Sequence, residues 1–359
     1  MTWATRMVPG FAPDGGHILS VLAKSTYTFA PNETALEDPS ASNDWVEVDQ
    51  YWGTNNPAVD ATKLESELVA WKPRTDVVVI GEACAPRGKK ARFFDAGIRI
   101  GNFQKAVRVF GDRKVQLKTF GFDFTEPEPF DAMPLHYGLA YGGRHKRADK
   151  GDELVYPRNP VGRGFVVQAS PEELNALVLP NLENPSKLLT PESLVLKSFD
   201  KWQDAPEPCA LGYTSRHSHP RVTLAGLPPE QAIEAEIARL QTVAASNGGA
   251  VLPPTPVLNT EYFCGASKGL SLPHLKGDEV VVLGYMDPDH PMFQFQLPGT
   301  RPVARIDVGM GWEWMDMVLQ NVVIFKGTNQ LEMVWRGSCR YDGPESMKDW
   351  ETFEMSVEE

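Results

Sequence analysis

The chain has 359 residues, 47 acidic and 35 basic, for a formal net charge of −12. A surface of that sign repels phosphate backbones and anionic lipid, which argues against nucleic acid and membrane as partners. Apolar residues at 42% and charged residues at 23% are ordinary globular usage, which excludes general disorder. The length exceeds that at which a single core stops growing, so more than one core region is expected. Gly and Pro number 30 each, pointing to turns and irregular connections rather than long helices.

From His17 to Phe29 the sequence predicts a strand with Leu19, Val21, Ala23, Tyr27 and Phe29 on one face. Val77 to Ile80 is a continuous apolar run, as expected of a strand buried on both faces. Ala106–Phe110 and Lys114–Phe120 flank Gly111-Asp112-Arg113, which predicts a hairpin within an antiparallel meander. The region 1–125 therefore reads as an N-terminal antiparallel β region.

Residues 126–260 change character, with many prolines and short helix starts. Ser170-Pro171-Glu172-Glu173 has the form of a capping box, and Thr190-Pro191-Glu192 offers a second cap. The clearest helix runs from Pro229 to about Asn247, with Ile233, Ile237, Leu240 and Val243 at helical spacing and Gly248 as a stop. Residues 261–359 return to strands. Val280–Met286 is an apolar run, and 321–326 pairs with 331–336 around Gly327-Thr328-Asn329, setting Leu331, Met333 and Trp335 on one face. The acidic tail, SVEE, is expected to fray. The fold class is thus mainly β (a β-rich α+β chain), two-lobed, with antiparallel regions at both ends and a Pro/Gly-rich section carrying a few helices between them.

Cys84, Cys209, Cys264 and Cys339 lie far apart with no C-x-x-C pair, which fits reduced thiols in a cytoplasm rather than a disulfide framework or structural zinc site. No basic stretch precedes an apolar segment near the start, so no secretory signal is expected. No run of about 18 apolar residues occurs, so no membrane-spanning helix is expected either.

Candidate chemistry is sparse. Gly265-Ala266-Ser267-Lys268-Gly269 matches the G-x-S-x-G pattern of a serine hydrolase, but Pro273 and Gly277 forbid the helix that must follow the nucleophile. His217 and His219 could share a metal, yet no third ligand stands at a telling spacing. Asp287-Pro288-Asp289-His290 resembles a calcium loop only in its acids, and the GK pair between Gly81 and Lys89 has the wrong spacing for a phosphate loop. The short basic cluster Arg144-His145-Lys146-Arg147 reads as a solvated loop. The expectation is no enzyme, no catalytic residue, no cofactor and no metal.

Two stretches are more particular. Tyr141, Gly142, Gly143 and Arg144 are followed by Asn159, Pro160, Val161, Gly162, Arg163, Gly164 and Phe165, a glycine-dense backbone that another chain could approach closely. Lys72-Pro73-Arg74-Thr75-Asp76-Val77 opens the second. Together with Gly111-Asp112-Arg113, Leu179–Pro185, Leu275–Glu279 and Met333–Arg336, this order resembles a bacterial domain-of-unknown-function family encoded in type VI secretion clusters. The resemblance runs from about Gly15 to Arg336 and departs at Cys264–Gly269. It implies a cytoplasmic effector adaptor or chaperone that binds a secreted effector or its tip-like (PAAR-like) domain, with the spike protein a further partner, and aids loading onto the spike. It implies no cofactor and no catalytic residues, and it offers Tyr141, Gly142, Gly143, Arg144, Asn159, Pro160, Gly162, Gly164 and Phe165 as motif positions for protein binding. The alternatives are a hydrolase using Ser267 or a metal enzyme using His217 and His219, and an exported structural part of the tip assembly.

Overall fold

A computed structural model of the protein describes residues 3–13, 16–148, 150–225, 259–307, 312–340 and 354–358. The helix expected over 229–247 lies outside the described residues. The chain is mainly β, built on a seven-stranded and a five-stranded sheet with several two- and three-stranded ribbons. The larger sheet runs in the order Ala4–Phe11, His17–Thr28, Gln330–Arg340, Val318–Phe325, Thr75–Ile80 and Ser271–Leu272, with Leu36–Glu37 paired to the second strand. Strands from the two ends of the sequence therefore share one sheet. Tyr27 lies opposite Leu331, and Ile18 opposite Arg340.

Thr75–Ile80 is buried at every position, as the apolar run predicts, but it pairs in parallel with Val318–Phe325 from the far end of the chain rather than within an antiparallel N-terminal region. The hairpin at Gly327-Thr328-Asn329 forms as expected, and Leu331, Met333 and Trp335 are buried. Both short helices begin where the caps predict. The Ser170 hydroxyl accepts from the Glu173 amide at 3.2 Å, and the Glu173 carboxylate accepts from the Ser170 amide at 2.8 Å.

The hairpin expected around Gly111-Asp112-Arg113 does not form. Phe103–Phe110 pairs instead with Phe93–Ile100 through the tight Gly101-Asn102 turn, and Val115–Leu117 pairs with Phe122–Phe124. The Gly111 amide donates to the Arg92 carbonyl at 3.0 Å, and a Cβ there would collide with the Glu128 carbonyl. Arg113 stacks on Phe110 and pairs with the Glu183 carboxylate, both nearly fully buried. The acidic tail is not frayed either: Glu354–Glu358 pairs antiparallel with Val303–Asp307.

The five-stranded sheet runs Leu182–Glu183, Phe103–Phe110, Phe93–Ile100, Val280–Gly284 and Met292–Gln296. Its inner residues, among them Ile98, Val107, Val281 and Phe295, join Val21, Val77 and Trp335 of the larger sheet in one apolar core. Phe29 stacks on Phe295 with centroids 4.1 Å apart. A second core gathers the central section around Tyr141, Tyr156, Phe165, Leu179 and Leu194. All four cysteines are free thiols. No helix among the described residues is long and apolar enough to cross a membrane.

His136 is a half-buried histidine at the margin of the first core. Its ring stacks on Trp52 at 5.1 Å, and its Nδ1 accepts from the Gly138 amide. Burial, and secondarily the Arg163 guanidinium, lower its pKa from 6.5 to about 4. The neutral ring thus stabilises the fold fully above pH ~6.5, and that contribution is lost as pH falls from there towards about 4. Between pH ~7 and ~5 the expected loss is about 2 kcal/mol. Urea midpoints across that range should show it in the wild type and show a flatter slope in His136→Gln. Parallel slopes would contradict the assignment.

Candidate functional site

The outer face of the five-stranded sheet is open. Along Phe93–Ile100 the inward positions Ala96, Ile98 and Ile100 are buried, while Phe93, Asp95, Gly97 and Arg99 face outward. Strand register sets Gly97 beside Ala106 on one side and Gly284 on the other, and Gly284 beside Met292. Four outward positions in a row across neighbouring strands therefore carry a methionine, two glycines and an alanine. The missing side chains leave a groove of about 670 Å³, within the range that holds ligands. Its walls include Asp95, Arg99, Gln104, Asn184, Glu207 and Lys268. Lys268 pairs with Glu207 at 2.6 Å, and Arg108, just outside, pairs with Asp95.

Below one end of the groove lies the only serine of the G-x-S-x-G pattern. Ser267 is fully buried; its hydroxyl donates to the Ala210 carbonyl at 2.6 Å and meets the Tyr137 hydroxyl at 2.8 Å. The Lys105 amine donates to the same hydroxyl and to the Lys268 carbonyl, and burial pushes its pKa below the usual lysine range. A serine nucleophile gives its proton to a base on attack. Here that proton is directed at a peptide carbonyl, and a strand, Ser271–Leu272, stands where the elbow helix would follow. The arrangement crosslinks three segments of the core.

The other sequence candidates separate. His217 is exposed, whereas His219 sets its ring edge-on to Trp202 at 4.9 Å. Asp287 spends its carboxylate on the Asp289 and His290 amides and on Lys326. In the basic cluster, Arg144 pairs with Glu153, Arg147 pairs with Asp152, and His145 is buried against the Val167 amide.

The motif positions are mostly interior. Tyr141, Gly142, Gly143, Asn159, Gly164 and Phe165 are buried; Pro160 and Gly162 are half-buried; only Arg144 is exposed. The Asn159 amide donates to the Tyr137 and Tyr141 carbonyls at 2.9 and 3.0 Å, and Tyr156 packs between Tyr141 and Phe165. These residues build the second core and do not reach the groove. The groove escaped sequence reasoning because its floor is assembled by register between residues as distant as 97 and 284. A glycine inside an apolar strand run, Gly284 after Val280–Leu283, was the one local signal.

A family model described as an uncharacterized protein conserved in bacteria (DUF2169) matches residues 14–336. No curated protein and no solved structure matches the chain.

Proposed function

We propose, starting from the fact that the chain belongs to that bacterial family, that it is a cytoplasmic effector adaptor of type VI secretion. In this reading it holds a secreted effector, or the effector's tip-like (PAAR-like) domain, and aids its loading onto the spike. The observation that carries the reading is the groove on the outer face of the five-stranded sheet, with charged walls and an apolar floor. Met292 in its floor is 67% exposed, and Phe93, outward on the same sheet face, is 54% exposed. Apolar surface rimmed by charge is the usual form of a protein contact. The order of motifs from Lys72 to Arg336 supports the same role by resemblance.

The test is co-expression with the tip and effector proteins encoded beside the gene, followed by affinity purification of the tagged chain. One stable complex is expected, weakened at least about tenfold by Met292→Glu, a change on the exposed face that leaves both cores untouched. No complex with any neighbour would overturn the proposal. Recovery of the chain itself in the secreted fraction would replace the adaptor with an exported part of the tip.

A further inference from the structure

We infer that the groove seats an extended, carboxylate-bearing segment of a protein partner, laid across the strands with its acid on Arg99 and Gln104. The inference rests on the adaptor reading for the source of the segment, and on the groove alone for its chemistry.

The floor points to a polypeptide backbone. Glycine within a strand costs roughly 0.5–1 kcal/mol relative to alanine, and it is found where another backbone comes close. Gly97 has a folding reason, since a Cβ there would press on the Lys105 carbonyl of the next strand. Gly284 has none: its φ is not positive, and a Cβ would meet nothing nearer than 3.7 Å. What its missing side chain does is keep the floor clear between Met292 and Gly97. The row from Met292 to Ala106 spans three strand spacings of about 4.8 Å, roughly 14 Å in all. That is the length of about four residues of extended chain.

The walls point to an acid. Lys268 and Arg108 have carboxylate partners, and the Lys105 amine is turned to Ser267 and the Lys268 carbonyl. Arg99 faces outward on Phe93–Ile100, directly opposite Gln104, and neither side chain has a hydrogen-bond or ion-pair partner among the described residues. A guanidinium beside a carboxamide presents a row of N–H donors, the arrangement that grips a carboxylate. In a chain of net charge −12 a free cation beside a cleared floor selects for the opposite sign.

The experiment is an amide NMR titration of the full chain with a capped hexapeptide, Ala-Gly-Val-Asp-Gly-Ala, and with its counterpart carrying Lys for Asp. The acidic peptide should shift amides at 97–99, 104–106 and 282–284 with a Kd of about 1 mM, and the basic one should bind at least about tenfold more weakly. Arg99→Glu should reverse that preference, and Gly284→Leu should abolish binding of both while the remaining spectrum stays intact. Absence of shifts at those residues at about 5 mM peptide, or equal affinity for the two peptides, would overturn the inference. The peptides do not depend on the neighbouring genes. Their failure beside an intact complex therefore removes the acidic segment and keeps the adaptor, whereas success without a complex keeps the acidic segment's seat and removes the adaptor.

Discussion

Asp76→Ala is expected to destabilise the protein by about 3–5 kcal/mol, because it strands a buried ammonium. Lys72 and Asp76 are 4% and 0% exposed and pair at 2.6 Å. The Lys72 amine also donates to the Asn321 amide oxygen at 2.6 Å, and the Asp76 carboxylate accepts from the Gly265 amide at 2.6 Å. One ion pair thus ties the entry to the Thr75–Ile80 strand, the neighbouring strand and the loop before Ser267. Removing one charge leaves the other desolvated without compensation, whereas replacing both removes the burial penalty as well. Asp76→Ala should therefore lower the urea midpoint severely, and Lys72→Met combined with Asp76→Leu should recover most of the loss. A single-variant loss under about 1 kcal/mol, the value typical of exposed pairs such as Arg6–Glu47, would refute the role given to this pair.

Gly142→Ala should cost about 3 kcal/mol or more, a large share of a total stability near the usual 5–15 kcal/mol. Gly142 has φ +146°, a region L side chains rarely adopt, and a Cβ there would strike the Asn159 carbonyl and side chain. Asn159→Ala should cost about 2–3 kcal/mol through a different route, by deleting two donors to the buried carbonyls of Tyr137 and Tyr141. Denaturant melts of both variants measure these losses. The informative comparison is with partner binding. A folded fraction of Asn159→Ala that still captures the partner as the wild type does would place the Tyr141–Phe165 segment in the scaffold, where its burial puts it.

The residues that made the family legible are those that hold the chain together. Lys72 and Asp76 form the central ion pair. Thr75 donates its hydroxyl to the Leu319 carbonyl and accepts from the Leu275 amide. Arg113 meets Glu183, Asp112 meets Asn181, and Arg336 stacks on Trp71. Buried polar residues tolerate few substitutes, so they stand out in a sequence without saying what the surface does. Local patterns were read well where one segment decides its own state, as with Val77–Ile80, the Ser170 cap and the turn at Gly327–Asn329. They misled where the competitor lay elsewhere in the chain. The Gly111 turn lost to Gly101-Asn102, whose shorter loop closes at lower entropic cost. The acidic 354–358 tail gains a ladder with Val303–Asp307 that its charge did not advertise. The groove depends on three separate strands meeting in one register, a property no local window contains.

The pairing of His17–Thr28 with Gln330–Arg340 also sets a clock on biosynthesis. His17–Thr28 waits for a partner about 300 residues downstream, which at about 5–20 residues per second is some 15–60 s of translation. Throughout that interval its eleven paired positions present an unsatisfied edge whose side chains are nearly all buried in the finished sheet. The larger sheet can accordingly close only after Gln330–Arg340 has been made. Slow translation or a stop placed before Gln330 should yield aggregate rather than a smaller soluble protein.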